Sequence, residues 1–275
     1  MENDKMTLFD HLGELRRRIV ISLVAVLIVF IVTFNYSELI LNTLVMPLEN
    51  KLVFSVHYPF IGFEPSGIKQ KTLVFLEPSE AFWMHFKLSM IAALMVALPI
   101  VLSQVWLFIE PGLVEKEKRL VLPFVMGGTL LFLLGAVFCF IIILPFALGF
   151  LMTYKTQNLT PMISVGNYVD FTLKFILAFG AIFELPIAIF VLAKMGLVTP
   201  QKLAKARKHV FIAAFIVAAV ITPTPDAFNQ TLMAVPIIVL YEIGILASRL
   251  IRKKPEEGEE QTPEPPESKD LVKPE

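Results

Sequence analysis

The sequence predicts an all-α integral membrane protein with six transmembrane helices, both termini in the cytoplasm and a structured first outer loop. Hydrophobic residues make up 56% of the 275 residues and charged residues only 17%, which is too apolar a composition for a soluble domain of this length. The chain also contains six long apolar runs separated by polar loops, a pattern typical of membrane spans. Lysines and arginines concentrate in alternate loops, and this asymmetry indicates the orientation.

The six apolar runs define the expected spans within a membrane domain of residues 1–252. We place these spans at about residues 19–34, 82–109, 120–150, 170–193, 209–222 and 231–248. The fifth and sixth spans are short, because their uninterrupted apolar runs contain only 12 and 15 residues and cover roughly 18 and 22 Å of a hydrocarbon core about 30 Å thick. Either polar helix ends face protein or water at that depth, or the helices continue through semi-polar residues such as Thr222 and Thr231.

The positively charged residues set the expected orientation of the chain. Eighteen of the 24 lysines and arginines lie in the N-terminal segment, the second and fourth loops and the C-terminal tail. Because such segments resist crossing the bilayer, we expect all four in the cytoplasm. The long first outer loop, residues 35–80, carries two apolar patches, so we expect a folded cap rather than a free linker. The tail, residues 253–275, is rich in Pro and Glu and is expected to be disordered.

The sequence lacks the residue patterns that enzymes and metal sites require. It contains no His and Glu at metal-ligand spacing on one helix, no Gly-framed serine and no phosphate-binding loop. Cys139 is the single cysteine, so no intramolecular disulfide is expected. We therefore expect no catalysis, no cofactor, no metal and no nucleic-acid partner. Charged and polar residues in an apolar scaffold indicate a receptor or a conduit.

Two charged clusters lie on the expected cytoplasmic side. The segment TLFDHLGELRRR, residues 7–18, has the pattern of an amphipathic helix that leads into the first span. Glu14 and Arg18 are four residues apart in it and can form an ion pair on one helix face. The segment QVWLFIEPGLVEKEKRL, residues 104–120, contains Glu117 in a run of mixed charge that is typical of a solvated loop. Spacing alone leaves structural and functional roles open for both glutamates.

A single carboxylate, Glu184, lies in the middle of an apolar run. The stretch FGAIFELPIAIF, residues 179–190, holds this glutamate with no other charged residue within nine positions on either side. Pro186 leaves the carbonyl of Ile182 without its usual donor, so a protonated glutamate could bond to it within a helix contact. Intramembrane carboxylates otherwise mark functional paths. Small residues dominate its helical neighbours and predict a notch around it: Gly180, Ala181, Ile187 and Ala188.

Six segments together carry a close resemblance to one family. They are HLGELRRR (11–18), MPL (46–48), QVWLFIEPGLVEKEKR (104–119), AFGAIFELPIAI (178–189), TPTPDAFNQTLMAVP (222–236) and YEIGI (241–245). In this order and spacing they resemble the TatC family, the membrane receptor of the twin-arginine protein translocase. The resemblance extends from about Thr7 to Arg252. The acidic tail and the details of the first outer loop have no clear counterpart.

The resemblance implies a receptor in the bacterial cytoplasmic (inner) membrane that binds twin-arginine signal peptides of folded precursor proteins. It implies export driven by the proton gradient, and assembly with single-span TatA- and TatB-like subunits and with further copies of the chain in the lipid bilayer. Glu14 and Glu117 are then the carboxylates that meet the two arginines, because a carboxylate accepts a guanidinium fork bidentately. Other family positions fall on Arg16 and Phe108 near the peptide, Pro47 in the outer cap, and Glu184 on a concave membrane-embedded face.

The polar ends of the last two spans suggest a second binding surface. We hypothesise that Asp226, Gln230 and Thr231 help to dock a partner's transmembrane helix, since polar side chains in lipid can bond a neighbouring helix.

Two alternatives use the same membrane scaffold. In the first, the chain is a small proton-coupled secondary transporter in which Glu184 titrates and Lys87 or Lys174 supplies the counter-charge; the apolar runs show no internal repeat, which disfavours this alternative. In the second, the chain is a structural anchor of another membrane complex, and Glu14 and Glu117 have no receptor role.

Overall fold

A computed structural model describes residues 8–54, 61–65, 73–109, 121–153, 162–222 and 226–250. The predicted site residue Glu117 and the predicted disordered tail, residues 253–275, lie outside these ranges. The helices within the described ranges, numbered in chain order, are α1 (Leu8–Asn35), α2 (Ser37–Glu49), α3 (Glu80–Ile109), α4 (Val121–Phe138), α5 (Leu144–Thr153), α6 (Val165–Phe183), α7 (Leu185–Lys194), α8 (Pro200–Ile221) and α9 (Ala227–Arg249).

The segment between α2 and α3 contains the strands β1 (Asn50–Phe54) and β2 (Ile61–Pro65), which pair as an antiparallel hairpin. Everything else with regular structure in the described ranges is helical. The prediction of a largely helical membrane protein is therefore confirmed, and the hairpin is a small addition to it. A one-turn π-helical segment, Cys139–Ile143, joins α4 to α5, immediately before Pro145, which cannot donate a backbone hydrogen bond.

Five of the described helical stretches are long and apolar enough to cross a membrane: residues 12–35, 80–109, 121–152, 165–194 and 227–249. Helix α8 is not among them, because its first half carries Lys202, Lys205, Arg207 and Lys208. The chain is thus a multi-pass membrane protein by the length and composition of its helices. The count of six spans and the orientation of the termini remain predictions.

The expectation of a short fifth and sixth helix needs correction. Helices α8 and α9 contain 22 and 23 residues, or roughly 33 and 35 Å at about 1.5 Å per residue. Helix α9 begins at Ala227, because Asp226 caps it. The helix therefore continues through Thr231, which is one of the two alternatives that the sequence analysis gave for this span. Helix α8 is long because its basic first half is helical, while its other end stops at Ile221.

Most of the helices that contact each other are not consecutive in the chain. Helix α1 packs on α3, α3 packs on α4 and α6, and α4 packs on α6; α7 then contacts α9, which packs on α8. The buried core lies where α3 to α6 meet α9, and its fully buried side chains include Leu88, Phe175, Phe179 and Met233. Gly135 allows α4 and α6 to approach closely, since a Cβ there would lie 2.6 Å from the carbonyl oxygen of Phe179.

A break separates α6 from α7 at Glu184. Pro186 lies in the first turn of α7, where its missing N–H is tolerated but where it interrupts the hydrogen bonds of the preceding helix. The backbone N–H of Glu184 donates to the carbonyl of Ala181 at 3.2 Å, and its own carbonyl accepts from the N–H of Ala188 at 2.9 Å. Helix α6 packs with α3 and α4, whereas α7 packs with α9, so the break lies between two groups of helices.

Candidate functional site

The first candidate site lies between α1 and α3 and is built from Glu14, Arg18 and Gln104. The Nη2 atom of Arg18 donates to Oε1 of Glu14 at 3.0 Å, across one turn of α1. The Nη1 atom of Arg18 donates to Oε1 of Gln104, on α3, at 3.4 Å. The predicted ion pair within α1 is therefore formed, and a third polar side chain from another helix joins it.

One oxygen of the Glu14 carboxylate remains unused. Its Oε2 atom is buried and has no hydrogen-bond partner among the residues that the structure describes, and the same holds for Nε of Arg18. The two side chains are 17% and 22% exposed, so solvent reaches the pair without surrounding it. A buried acceptor without a donor is unfavourable by about 1–3 kcal/mol. The arrangement therefore offers a place for a donor that a ligand could supply.

A groove of about 420 Å³ runs along α1 and α3 from this polar end. Its lining is apolar apart from Arg18, Ser22 and Gln104, and Ser22 uses its hydroxyl on the carbonyl of Arg18. The apolar lining residues are Leu15, Ile19, Leu23 and Val26 of α1 and Leu94, Val101, Val105 and Phe108 of α3. The predicted residue Phe108 thus lies in the wall of the groove near Arg18, while Arg16 is exposed on α1.

The second candidate site is the carboxylate of Glu184 at the break between α6 and α7. The side chain is half-buried, and its Oε1 atom is buried without a hydrogen-bond partner. Both carboxylate oxygens lie against Gly128 of α4, close to the side chain of Leu102 of α3. The sequence analysis considered a hydrogen bond from the Glu184 carboxyl group to the carbonyl of Ile182, which would indicate a purely structural role. Within the described residues, this hydrogen bond is not formed.

The predicted notch around Glu184 is partly filled. Gly180 is buried, and a Cβ there would lie 2.6 Å from the ring of Phe132, so this ring occupies the space that the glycine leaves. Ala181 and Ala188 are exposed. Only this alanine side of the notch is open, because α4 packs into the glycine side.

Pro47, predicted to lie in the outer cap, is in the short helix between α1 and α3. This residue lies inside α2 and is buried, and the helix continues past it to Glu49, so Pro47 does not end the helix. A proline is tolerated here because α2 is short and its inner face is fixed by other contacts. Leu44 and Leu48 are buried in the main core, and the hydroxyl of Tyr168, on α6, donates to the carbonyl of Leu44 at 2.7 Å.

The three residues predicted to dock a partner helix have different surroundings. The carboxylate of Asp226 caps α9, accepting from the backbone N–H of Asn229 at 2.7 Å. The Nε2 atom of Gln230 donates to the carbonyl of Phe215, on α8, at 3.0 Å. Thr231 is exposed. Two of the three side chains therefore make hydrogen bonds within the chain, and Thr231 is the one directed away from it.

Lys87, one of the two lysines considered as the counter-charge in the transporter alternative, pairs with another carboxylate. Lys87, on α3, contacts both carboxylate oxygens of Asp170, on α6, at 2.8 Å. This pair lies near the beginning of both helices, whereas Glu184 follows the end of α6. The expectation that Lys87 could neutralise Glu184 is thus wrong, because Asp170, which the sequence analysis did not weigh, lies closer to it.

Two further polar contacts escaped the sequence analysis. Glu80, at the start of α3, accepts hydrogen bonds from the hydroxyl of Ser164 and from the backbone N–H groups of Gly166 and Leu76, and so ties the beginning of α6 to the segment before α3. Arg207, on α8, forms a bidentate pair with Glu242, on α9, with both distances 2.7 Å. Both contacts join residues far apart in sequence, so no local pattern reveals them.

Comparison with known proteins identifies the family of this chain. The sequence profile of the family described as Sec-independent protein translocase protein (TatC) matches residues 10–236, and so includes Glu14, Glu117 and Glu184. The chain is a member of the TatC family. Two bacterial relatives, each named Sec-independent protein translocase protein TatC, agree with this. The relative from Carboxydothermus hydrogenoformans is 37% identical over 94% of this chain and 99% of its own length, and the relative from Aquifex aeolicus is 39% identical over 92% and 98%.

Solved structures support the same assignment. A crystal structure of the twin arginine translocase receptor TatC is 37% identical in sequence, with a TM-score of 0.72 over 87% of this chain and 98% of that one. A second crystal structure of the receptor, in DDM, is 38% identical and has a TM-score of 0.73. Like other TatC proteins, the chain is a multi-pass membrane component of the Sec-independent translocase and not an enzyme.

Proposed function

We propose that this chain is the receptor of the twin-arginine translocase, which binds the signal peptides of folded precursors for export driven by the proton gradient. The observation that carries the proposal is the groove between α1 and α3, which has Arg18 and Gln104 near one end and a mainly apolar lining beyond them. Glu14 does not line the groove but is bonded to Arg18 beside it. A signal peptide has a positively charged region followed by 7–15 apolar residues. The polarity of the groove matches that order.

The free oxygen of Glu14 is the acceptor for a peptide arginine in this proposal. An arginine guanidinium is planar and permanently charged, and its N–H groups form a fork that fits a carboxylate, whereas lysine presents a compact point charge. Oε2 of Glu14 is buried without a partner, so a donor delivered to it loses little to competing water. The apolar part of the peptide then lies along Leu23, Val26 and Leu94 of the groove.

Glu117 is the second proposed acceptor. It follows the end of α3 by eight residues, and that end of α3 carries Gln104 and Phe108 beside the first turns of α1. This proximity supports a role for Glu117 in the same binding site. Two arginines require two acceptors; Glu14 lies on α1, and Glu117 follows α3 in the sequence.

The remaining proposals concern orientation and partners. We place both termini in the cytoplasm of a bacterial cell, with the Glu14 end of the groove on that side, because 18 of the 24 lysines and arginines lie in the segments on it. Single-span TatA- and TatB-like subunits and further copies of the chain are the proposed protein partners. Thr231, exposed at the start of α9, is the proposed contact for a partner helix, and Gln230 supports it by fixing α9 to α8.

The receptor proposal is tested by peptide affinity with the full chain in bilayer discs at fixed salt. Signal peptides with paired Arg and with paired Lys are compared on the parent chain, on Glu14→Ala, on Glu117→Ala and on the double variant. We expect the preference for paired Arg to fall in each single variant and to disappear in the double variant. Glu38→Gln, an exposed acidic residue at the start of α2, is the matched control. A paired-Arg preference that persists in full without both carboxylates excludes this site.

The partner proposal is tested separately by cysteine crosslinking from positions 230 and 231 to single-span subunits. Position 231 is expected to crosslink more efficiently, since its side chain is directed away from α8. A cysteine at the exposed position 28 of α1 is the comparison. Crosslinks from position 28 but from neither 230 nor 231 contradict a docking surface on α8 and α9.

A further inference from the structure

We propose that Gly128, on α4, is a positioning residue for Glu184, because its missing side chain leaves the space that the Glu184 carboxylate occupies. The inference rests on the proposed function of the chain as a translocase receptor and on the functional role that the sequence analysis predicted for Glu184. It extends that proposal to a glycine on another helix, 56 positions earlier in the sequence. This residue has no side chain and therefore no polar group that would mark it as functional.

The distances around Gly128 carry the argument. A Cβ atom at this position would lie 3.1 Å from Oε2 and 3.3 Å from Oε1 of Glu184, and 2.9 Å from Cδ1 of Leu102. Non-bonded heavy atoms at optimal separation are about 3.5–4.0 Å apart. A methyl group at residue 128 therefore requires the carboxylate and the leucine to move. Gly128 itself is buried, so the added group cannot turn toward lipid.

Among the described residues, no hydrogen bond is formed to the Glu184 carboxylate, so its position depends on the space that Gly128 leaves. Its Oε1 atom is buried without a partner, and no ion pair among the described residues includes Glu184. The backbone at Glu184 is fixed by the helix break and by the hydrogen bond from Ala188. The starting point of the side chain is therefore fixed, while the position of its carboxylate is set by packing against α4.

The neighbouring residue provides a matched control. Gly127 lies on the same helix, and a Cβ there would lie 3.1 Å from Cδ1 of Ile187, the far end of a flexible side chain. Exchange of either glycine for alanine has the same effect on helix propensity. Only the change at residue 128 brings a methyl group against Glu184. A difference between the two variants thus reports on packing at residue 128, against Glu184 and Leu102, and not on helix propensity. The combination with Glu184→Asp then separates the carboxylate from the leucine.

The experiment measures transport by the complete translocase, divided by the amount of chain in the membrane, together with the melting temperature of the chain. The variants are Gly128→Ala, Gly127→Ala, Glu184→Gln, Glu184→Asp and the two glycine changes each combined with Glu184→Asp. We expect Gly128→Ala to lower transport several-fold and Gly127→Ala to leave it near the parent level. Asp is one methylene shorter and withdraws the carboxylate from the added methyl group. Glu184→Asp should therefore restore part of the transport lost in Gly128→Ala but lower transport in the Gly127→Ala background.

The outcomes separate this inference from the proposal on which it rests. If Glu184→Gln transports normally, Glu184 has no functional role and the underlying proposal fails at this residue. If Glu184→Gln is defective while Gly128→Ala behaves like Gly127→Ala, the positioning role alone is overturned. If Gly128→Ala lowers the melting temperature, the Asp combination decides: restored transport per molecule supports positioning, and purely additive losses contradict it.

Discussion

Glu14 and Glu184 are both half-buried carboxylates with one buried oxygen that lacks a partner, yet their surroundings are opposite. Glu14 has a guanidinium on its own helix, Arg18, and through it a contact to Gln104 of α3. Glu184 lies at the break between α6 and α7, and its carboxylate packs against Gly128 of α4. Charge and hydrogen bonds position the first carboxylate, whereas the shape of the neighbouring helix positions the second.

Under the proposed function, this difference assigns recognition of the peptide to Glu14 and a later step of transport to Glu184. A carboxylate that already binds an arginine is suited to exchange that arginine for another, which is what discrimination of paired arginines requires. A carboxylate without a counter-charge in an apolar span has no such exchange partner, and its energy depends on whether something donates to it. We therefore expect changes at Glu14 to alter peptide affinity, and changes at Glu184 to alter the steps that follow binding.

Glu80 shows what a fully used carboxylate looks like in the same chain. It accepts from Ser164 and from three backbone N–H groups, at Gly166, Leu76 and Glu77. No oxygen remains for a ligand, which fits a role in fastening α6 to the segment before α3. The free oxygens of Glu14 and Glu184 therefore distinguish these two residues from a structural glutamate.

The largest expected effect is on peptide affinity and should appear at only one of the two sites. Glu14→Ala removes an acceptor for a charged donor and is expected to weaken paired-Arg peptide binding by about 1.5–3 kcal/mol, or roughly tenfold or more. Glu184→Ala, at equal protein amount, should leave the paired-Arg preference intact. Titration of both variants with paired-Arg and paired-Lys peptides measures this. Equal losses at both residues erase the distinction between the two sites.

The second prediction is that transport falls while the amount of protein in the membrane stays unchanged. Glu184→Gln keeps the size of the side chain and removes its charge, so the variant should accumulate in the membrane as the parent does while transport falls. Its affinity for the paired-Arg peptide should stay within about 0.5 kcal/mol of the parent, the usual range for a change away from a binding surface. If Glu184→Gln transports normally but Glu184→Ala does not accumulate, the residue serves packing only.

The sequence predicted the helices and the isolation of Glu184 because both are local properties of apolar runs. It also predicted the Glu14–Arg18 pair, since four residues on one helix suffice for it. It could not predict the start of α9 at Ala227, which depends on the Asp226 cap and not on hydrophobicity. Nor could it predict Gly128 beside Glu184 or Asp170 beside Lys87, because such contacts follow from how α3, α4 and α6 pack together.

A third prediction tests how much an exposed ion pair contributes compared with the half-buried one at Glu14. Arg207 and Glu242 form a bidentate pair between α8 and α9, with side chains 50% and 41% exposed. Arg207→Lys keeps the charge but removes the planar guanidinium that contacts both carboxylate oxygens. The free energy of unfolding should therefore fall by no more than about 0.2–1 kcal/mol. Lys208→Arg is the neighbouring control with unchanged charge. A larger loss shows that α8 depends on this pair for its attachment to α9.

The smallest expected effect has the opposite sign and bears directly on Glu14. Arg18 occupies Oε1 of Glu14, so a peptide arginine that reaches the free Oε2 competes with Arg18 when its guanidinium fork engages both carboxylate oxygens. A helical ion pair at this spacing contributes about 0.3–0.5 kcal/mol, and Arg18→Gln should therefore raise paired-Arg affinity about twofold, since tenfold corresponds to about 1.4 kcal/mol. The exposed neighbour Arg17 supplies the control, because Arg17→Gln removes the same charge from the same helix without touching the carboxylate. Measurement at several salt concentrations separates the local competition, which persists, from the long-range loss of positive charge, which salt screens. If Arg18→Gln instead weakens peptide binding relative to Arg17→Gln, Arg18 holds Glu14 in its binding geometry and is part of the receptor site.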